Sequence, residues 1–229
     1  MERHRISQDF LYAVRTGHGY AAYVAALAET PLAELLPPAS SQDFKKAFWL
    51  NLYNAFVLVM LRKNPENYRN KGSFFGQKRI RLRPFTVSLD GMEHGVLRRG
   101  AWKWGFGYIK NPFSDAFART FMLDRLDFRI HFALNCGAAS CPPIACYEPG
   151  KLDAQLDLAM RGYLEAECRH DAAANTVAVP KLFSWYRGDF GGRRGIGQLL
   201  ESQNSIPQNA QTSLRFKPYD WTLRPDGRK

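Results

Sequence analysis

Apolar positions recur with helical spacing at four places along the chain. Tyr20, Val24 and Leu27 repeat at three- to four-residue steps and stop before Pro31, which predicts a first helix. From residue 47 to residue 61 almost every position is apolar except Asn51 and Asn54. With Ser41 as N-cap and Asn64-Pro65 as the stop, that run predicts a long buried helix through about Lys63. Leu152, Leu156, Ala159, Met160 and Tyr163 share one side of a late helix running from Leu152 to Glu167, and Ile196 to Leu200 belongs to another. The strand signals are shorter. Residues 78–83 (KRIRLR) alternate charged and apolar side chains and end at Pro84. Residues 128–134 (FRIHFAL) are β-branched and aromatic, which predicts a buried strand carrying His131. Thr176 to Val179 and residues 213–223 add two more strands. Ser88 caps a short helix over residues 89–99, and the aromatic, Gly-rich residues 100–112 are irregular. No repeat, linker or low-complexity segment interrupts the pattern. It predicts one α+β domain over residues 1–229, with helices packed on a small, mainly antiparallel sheet.

Composition changes this picture little. The chain has 229 residues, 45% hydrophobic and 23% charged, which excludes disorder, collagen and simple coiled coil. The apolar run of about 15 residues is too short and too polar for a transmembrane segment. The first 20 residues show no signal peptide, so the default compartment is cytoplasmic, or secreted if a leader was trimmed. Charge says more. Thirty-two Lys and Arg against 21 Asp and Glu give a net charge of +11, which favours an acidic protein partner. No nucleic-acid motif accompanies the basic residues, so no specific nucleic acid is expected. Four cysteines are too sparse for a disulfide scaffold, and reduced thiols are the default reading.

The densest candidate chemistry lies between His131 and Pro143. A strand delivers His131, and ten residues later Cys141 sits in a loop of small residues followed by Pro142-Pro143. Proline suits the first position of a helical turn. Cys141 at that N-cap would have its thiolate stabilised by unpaired backbone N–H groups, as a nucleophile paired with an imidazole requires. Cys136 closes the preceding strand and reads as a packing residue. The Cys-x4-Cys-x4-Cys spacing is wider than zinc sites use, and no metal or other cofactor is expected. Asn51 and Asn54 either brace a neighbouring loop or donate to a substrate carbonyl. His94 and Arg98 share a helical face and could grip a substrate carboxylate, while Glu93 could orient a catalytic imidazole. Asp189 and Asp220, both flanked by aromatics, are alternatives to Glu93 for that orienting role, although acidic residues in such settings often brace tyrosines or arginines instead.

Together these segments resemble a family catalogued as domain of unknown function 547. The matching pieces are residues 47–55 (AFWLNLYNA), residues 89–98 with Glu93-His94, residues 129–142 from Arg129 to Pro142, residues 181–190 (KLFSWYRGDF) and the closing Tyr219-Asp220-Trp221. The closing segment departs from the family pattern by running on as Thr222-Leu223-Arg224. The resemblance implies a papain/transglutaminase-like fold in permuted order, with Cys141 as nucleophile, His131 as base and Glu93 as orienter. It implies a cysteine-dependent acyl-transfer enzyme (peptidase, amidase or transpeptidase) acting on a peptide or small amide. Asn54, Asn51, His94 and Arg98 would then hold the substrate. The alternative is a non-catalytic protein-interaction module with a basic surface.

Overall fold

The computed structural model describes residues 5–224, so residues 1–4, where the reading for a signal peptide begins, lie outside it. Ile6, Phe10, Leu11 and Val14 form the buried stripe of α1 (Ile6–Thr16). That stripe packs on the long central helix, with the Phe10 and Phe56 rings edge to face at 5.1 Å. Helices α2 (Ala21–Glu29) and α3 (Leu32–Leu35) lead into α4 (Gln42–Lys63). The α4 boundaries follow from its ends: Ser41 accepts the Phe44 N–H at 3.2 Å, and Asn64-Pro65 stops the helix. Apolar around its whole circumference, α4 is the element on which the first core is built.

A short α5 (Lys71–Gly76) precedes the antiparallel hairpin of β1 (Ile80–Leu82) and β2 (Phe85–Val87), in which Ile80 pairs with Val87 and Leu82 with Phe85. The predicted alternation holds in β1, with Arg81 exposed between buried Ile80 and Leu82. The segment after Ser88 is a π-helical turn, Gly91–Leu97, followed by α6 (Ala116–Phe121). In the second half, α7 (Leu152–Glu167) has the predicted bounds. Strands β3 (Arg169–Asp171) and β4 (Thr176–Val179), helices α8 (Leu182–Trp185) and α9 (Gly192–Ser202), and β5 (Ser213–Phe216) complete the chain. The three-stranded sheet has the order β3-β4-β5, antiparallel at the first pairing and parallel at the second. The molecule is thus α+β with small sheets.

Two sequence expectations are corrected. Phe128–Phe132 is a 3-10 turn, not a strand. Asp127 caps it by accepting the Arg129 N–H at 3.1 Å, and the Arg129 side chain folds back onto Asp127, Asp153 and Asp157. Its strand-like alternation has another cause: Ile130 is buried in the core around α4 and Phe132 in a second core against α7, β4, α8 and α9. The turn therefore lies between the two cores, and His131 is carried there. No helix follows Cys141 either. Pro142 forces its predecessor toward extended backbone, and Pro143 does the same to Pro142.

Candidate active site

Between the two cores lies a cleft of about 390 Å³. Its wall includes Glu93, His94, His131, Cys136 and Cys141, among aromatic side chains such as Tyr53, Trp185, Tyr219 and Trp221. Four of the seven residues singled out in the sequence therefore meet at one place. Asn51, Asn54 and Arg98 stand outside the wall, and their bonding explains why.

Each asparagine closes a two-bond ring with the backbone of another segment. Asn51 donates to the Tyr147 carbonyl and accepts the Tyr147 N–H, both at 2.8 Å. Asn54 donates to the Ala133 carbonyl at 3.0 Å and accepts the Asn135 N–H at 2.9 Å. Both are fully buried, and this is the bracing arrangement. Through them α4 holds the two ends of the cysteine loop, and Asn135 continues the brace by donating to the Pro142 carbonyl and accepting the Gly137 N–H.

Arg98, 0% exposed, spends its guanidinium on Asp189 (2.6 and 3.2 Å) and on His94 Nδ1 (2.9 Å), which leaves no donor set for a substrate carboxylate. Asp189 in turn binds His131 Nε2 at 2.8 Å. Burial alone would raise the Asp189 carboxyl, but the hydrogen bonds from His131 and Arg98 outweigh it and hold it at about 2. Burial, helped by the Arg98 charge, pushes His131 below its ordinary value against the pull of Asp189. A neutral His131 that donates its Nε2 proton to Asp189 keeps its lone pair on Nδ1. Among the described residues nothing hydrogen-bonds Nδ1.

The carboxylate hydrogen-bonded to His131 is Asp189, whereas Glu93, the residue the sequence favoured beside the imidazole, makes no direct bond to it. Glu93 accepts from Tyr186 Oη at 2.8 Å and from Tyr53 Oη at 3.3 Å. Tyr186 stacks on the His131 ring at 4.0 Å, so Glu93 acts on the imidazole through that tyrosine. The W-Y-R-G-D-F segment carried the signal for Asp189, in the form of an acidic residue among aromatics. Nothing in local spacing connected it to His131, 58 residues away.

The cysteines also depart from expectation. Cys136 and Cys141 form a disulfide, with Cα atoms 6.1 Å apart across the tight loop. Asn135, Gly137 at φ 85° and the Tyr163 hydroxyl on the Ser140 carbonyl fold that loop back on itself. Five-residue spacing thus becomes spatial proximity, and no free thiol stands at residue 141 in this form. Cys141 is 5% exposed, while Cys136 is only half-buried, the reverse of the roles read from the flanking residues. His131 makes no hydrogen bond to either sulfur. Both sulfurs lie 3.1 Å from Tyr219 Oη, and the Cys136 N–H points at Cys141 Sγ at 2.9 Å. Cys146 and Cys168 are unpaired thiols, and burial raises both above the ordinary thiol value. Among the described residues no cluster of three His, Cys, Asp or Glu could hold a metal ion, and no helix is long and apolar enough to cross a membrane.

No curated protein sequence and no solved structure matches this chain. The family described as protein of unknown function, DUF547, matches residues 38–164, more than half of the 229-residue chain. That span holds α4, the Glu93–Arg98 turn, His131 and both cysteines of the cleft, and the chain belongs to this family.

Proposed function

We propose that the cleft is the active site of a cysteine-dependent acyl-transfer enzyme, a peptidase, amidase or transpeptidase, whose oxidised form is the Cys136–Cys141 disulfide. The observation that carries this reading is that His131, bonded behind the wall to buried Asp189 and with Nδ1 unpartnered among the described residues, lines the same cleft as Cys141. Reduction by a thiol reductant splits the bridge into two thiols, and two reductant thiols become one disulfide. Nδ1 of His131 then takes the Cys141 proton, and Asp189 stabilises the imidazolium. The Cys136 N–H and the Tyr219 hydroxyl already lie at Cys141 Sγ, where they stabilise the thiolate. The thiolate attacks an amide carbonyl, the protonated His131 returns its proton to the leaving amine, and water or a second amine releases the acyl group. The histidine precedes the cysteine in the chain, as a papain/transglutaminase-like fold in permuted order requires. The aromatic wall suits a peptide or small amide with an apolar acyl side.

A second reading is a non-catalytic binding cleft, and the bridge itself favours it, because a structural disulfide needs no thiolate. An activated ester such as p-nitrophenyl acetate separates the two. The reduced protein should release a burst of nitrophenol and carry an acetyl group on Cys141, while the oxidised protein and Cys141→Ser should do neither. A reduced, folded protein with no burst and no adduct sinks the acyl-transfer reading.

A further inference from the structure

Of the nine large apolar side chains that stand exposed among the described residues, six fall within residues 102–113. Trp104 is 74% and Phe113 87% exposed, and Trp102, Phe106, Tyr108 and Ile109 accompany them. The segment that carries them is not loose. Ala101 pairs with Lys110, the Trp102 N–H donates to the Ile109 carbonyl at 2.8 Å, and the Asn111 N–H to the Gly100 carbonyl at 2.7 Å. Its tip is pinned to the segment before α9 by Gly188, whose N–H donates to the Phe106 carbonyl at 2.7 Å. Gly107, at φ 86°, lies so close to Asp189 that an added Cβ would come within 2.5 Å of its Oδ1. A fixed loop holding six large apolar side chains in water exposes them for contact with another surface.

Charge identifies that surface. The Tyr108 hydroxyl lies beside Gly192, at the start of α9, where Arg193 and Arg194 follow, both exposed and with no carboxylate partner among the described residues. Lys110 is exposed on the loop itself. Tryptophan and tyrosine with flanking cations, on a chain of net charge +11, match the interface of an anionic bilayer. We propose that residues 102–113 form a membrane-interfacial anchor that seats the protein on anionic phospholipid. Trp104 and Phe106 belong both to this loop and to the wall of the cleft, so the cleft mouth lies at the lipid surface. This inference is independent of the acyl-transfer reading and stands or falls on lipid binding alone.

Vesicle flotation tests it with the full chain. The protein should float with vesicles of equal parts phosphatidylglycerol and phosphatidylcholine, and stay behind with phosphatidylcholine alone. Trp102→Ser with Phe113→Ser, two exposed side chains outside the cleft wall, should weaken partitioning by about tenfold. Arg193→Gln with Arg194→Gln should weaken it on anionic vesicles only, and added salt should mimic that loss. Tyr12→Ser, an exposed aromatic on α1, should change nothing. Near-UV circular dichroism establishes that each variant is folded. Failure of the wild type to float, or equal flotation of the Trp102/Phe113 variant, overturns the proposal. So does a wild-type dimer that ignores vesicles and that the same variant splits, since the loop would then dock on a second copy.

Discussion

Asn51 and Asn54 illustrate how a single residue can be read correctly in kind and only half in role. A buried amide in an apolar helix must be bonded, and each is bonded twice, to backbone that shapes the cysteine loop. Asn54→Leu would leave the Ala133 carbonyl and the Asn135 N–H unpaired, and should cost about 1–3 kcal/mol in urea unfolding. An unchanged midpoint would show that the brace is dispensable. Asp189 is the residue on which most depends, because it is the counter-charge for Arg98 and the partner of His131. Asp189→Asn leaves a buried guanidinium uncompensated and should cost about 3–5 kcal/mol. A loss below that of Asn54→Leu would contradict its central place. The sequence offered Asp189 both as an alternative to Glu93 for orienting the imidazole and as a brace for tyrosine or arginine, and could not choose between them. It does brace Arg98, but the imidazole contact depends on two segments meeting in space, which no local spacing encodes.

At the scale of elements, legibility followed length and periodicity. Helix α4 was readable to its ends because its cap and its apolar run agreed, and α7 was readable from its apolar face alone. The turn carrying His131 imitated a strand because it feeds Ile130 and Phe132 into two different cores, and sequence alternation cannot distinguish two cores from the one face of a sheet. The cysteine loop was misjudged for a related reason: the flanking prolines suggested a helix start, whereas Asn135 and the α4 asparagines decide the path of the chain. The contact between the aromatic loop and the segment preceding α9 makes a further prediction. An alanine Cβ at residue 188 would fall 2.6 Å from the Gly107 carbonyl carbon, so Gly188→Ala must push the two segments apart. It should cost about 1–3 kcal/mol by chemical denaturation and also slow alkylation of reduced Cys141, because Asp189 is the next residue. Full stability with full reactivity would show that the two segments are not coupled.

For the whole molecule, the buried charges set a pH dependence with a definite sign. Asp127 and Asp189 are held at about 2 against an ordinary 3.8; burial opposes the shift, and cationic hydrogen-bond partners overcome it. A depressed carboxyl stabilises the fold above its unfolded value and loses that contribution as pH falls through its folded one. Each should therefore contribute about 2 kcal/mol at neutral pH that disappears between about pH 4 and pH 2. His131, depressed by burial, adds a loss that begins as pH falls below 6.5, where the unfolded chain takes up a proton and the folded one resists it. Melting temperature measured against pH should fall in both windows, and Asp127→Asn should shallow the acid limb. A flat profile down to pH 2 would contradict the buried-charge account.

The central claim, that Cys141 becomes a nucleophile served by His131 and Asp189, is tested most directly by iodoacetamide alkylation of Cys141 in the reduced protein as a function of pH. The account predicts reaction at about pH 6, well below the range of an ordinary thiol, and its loss in His131→Ala while that variant remains folded. Equal rates in wild type and His131→Ala at that pH, or a Cys141 that reacts only in the range of an ordinary thiol, would contradict it.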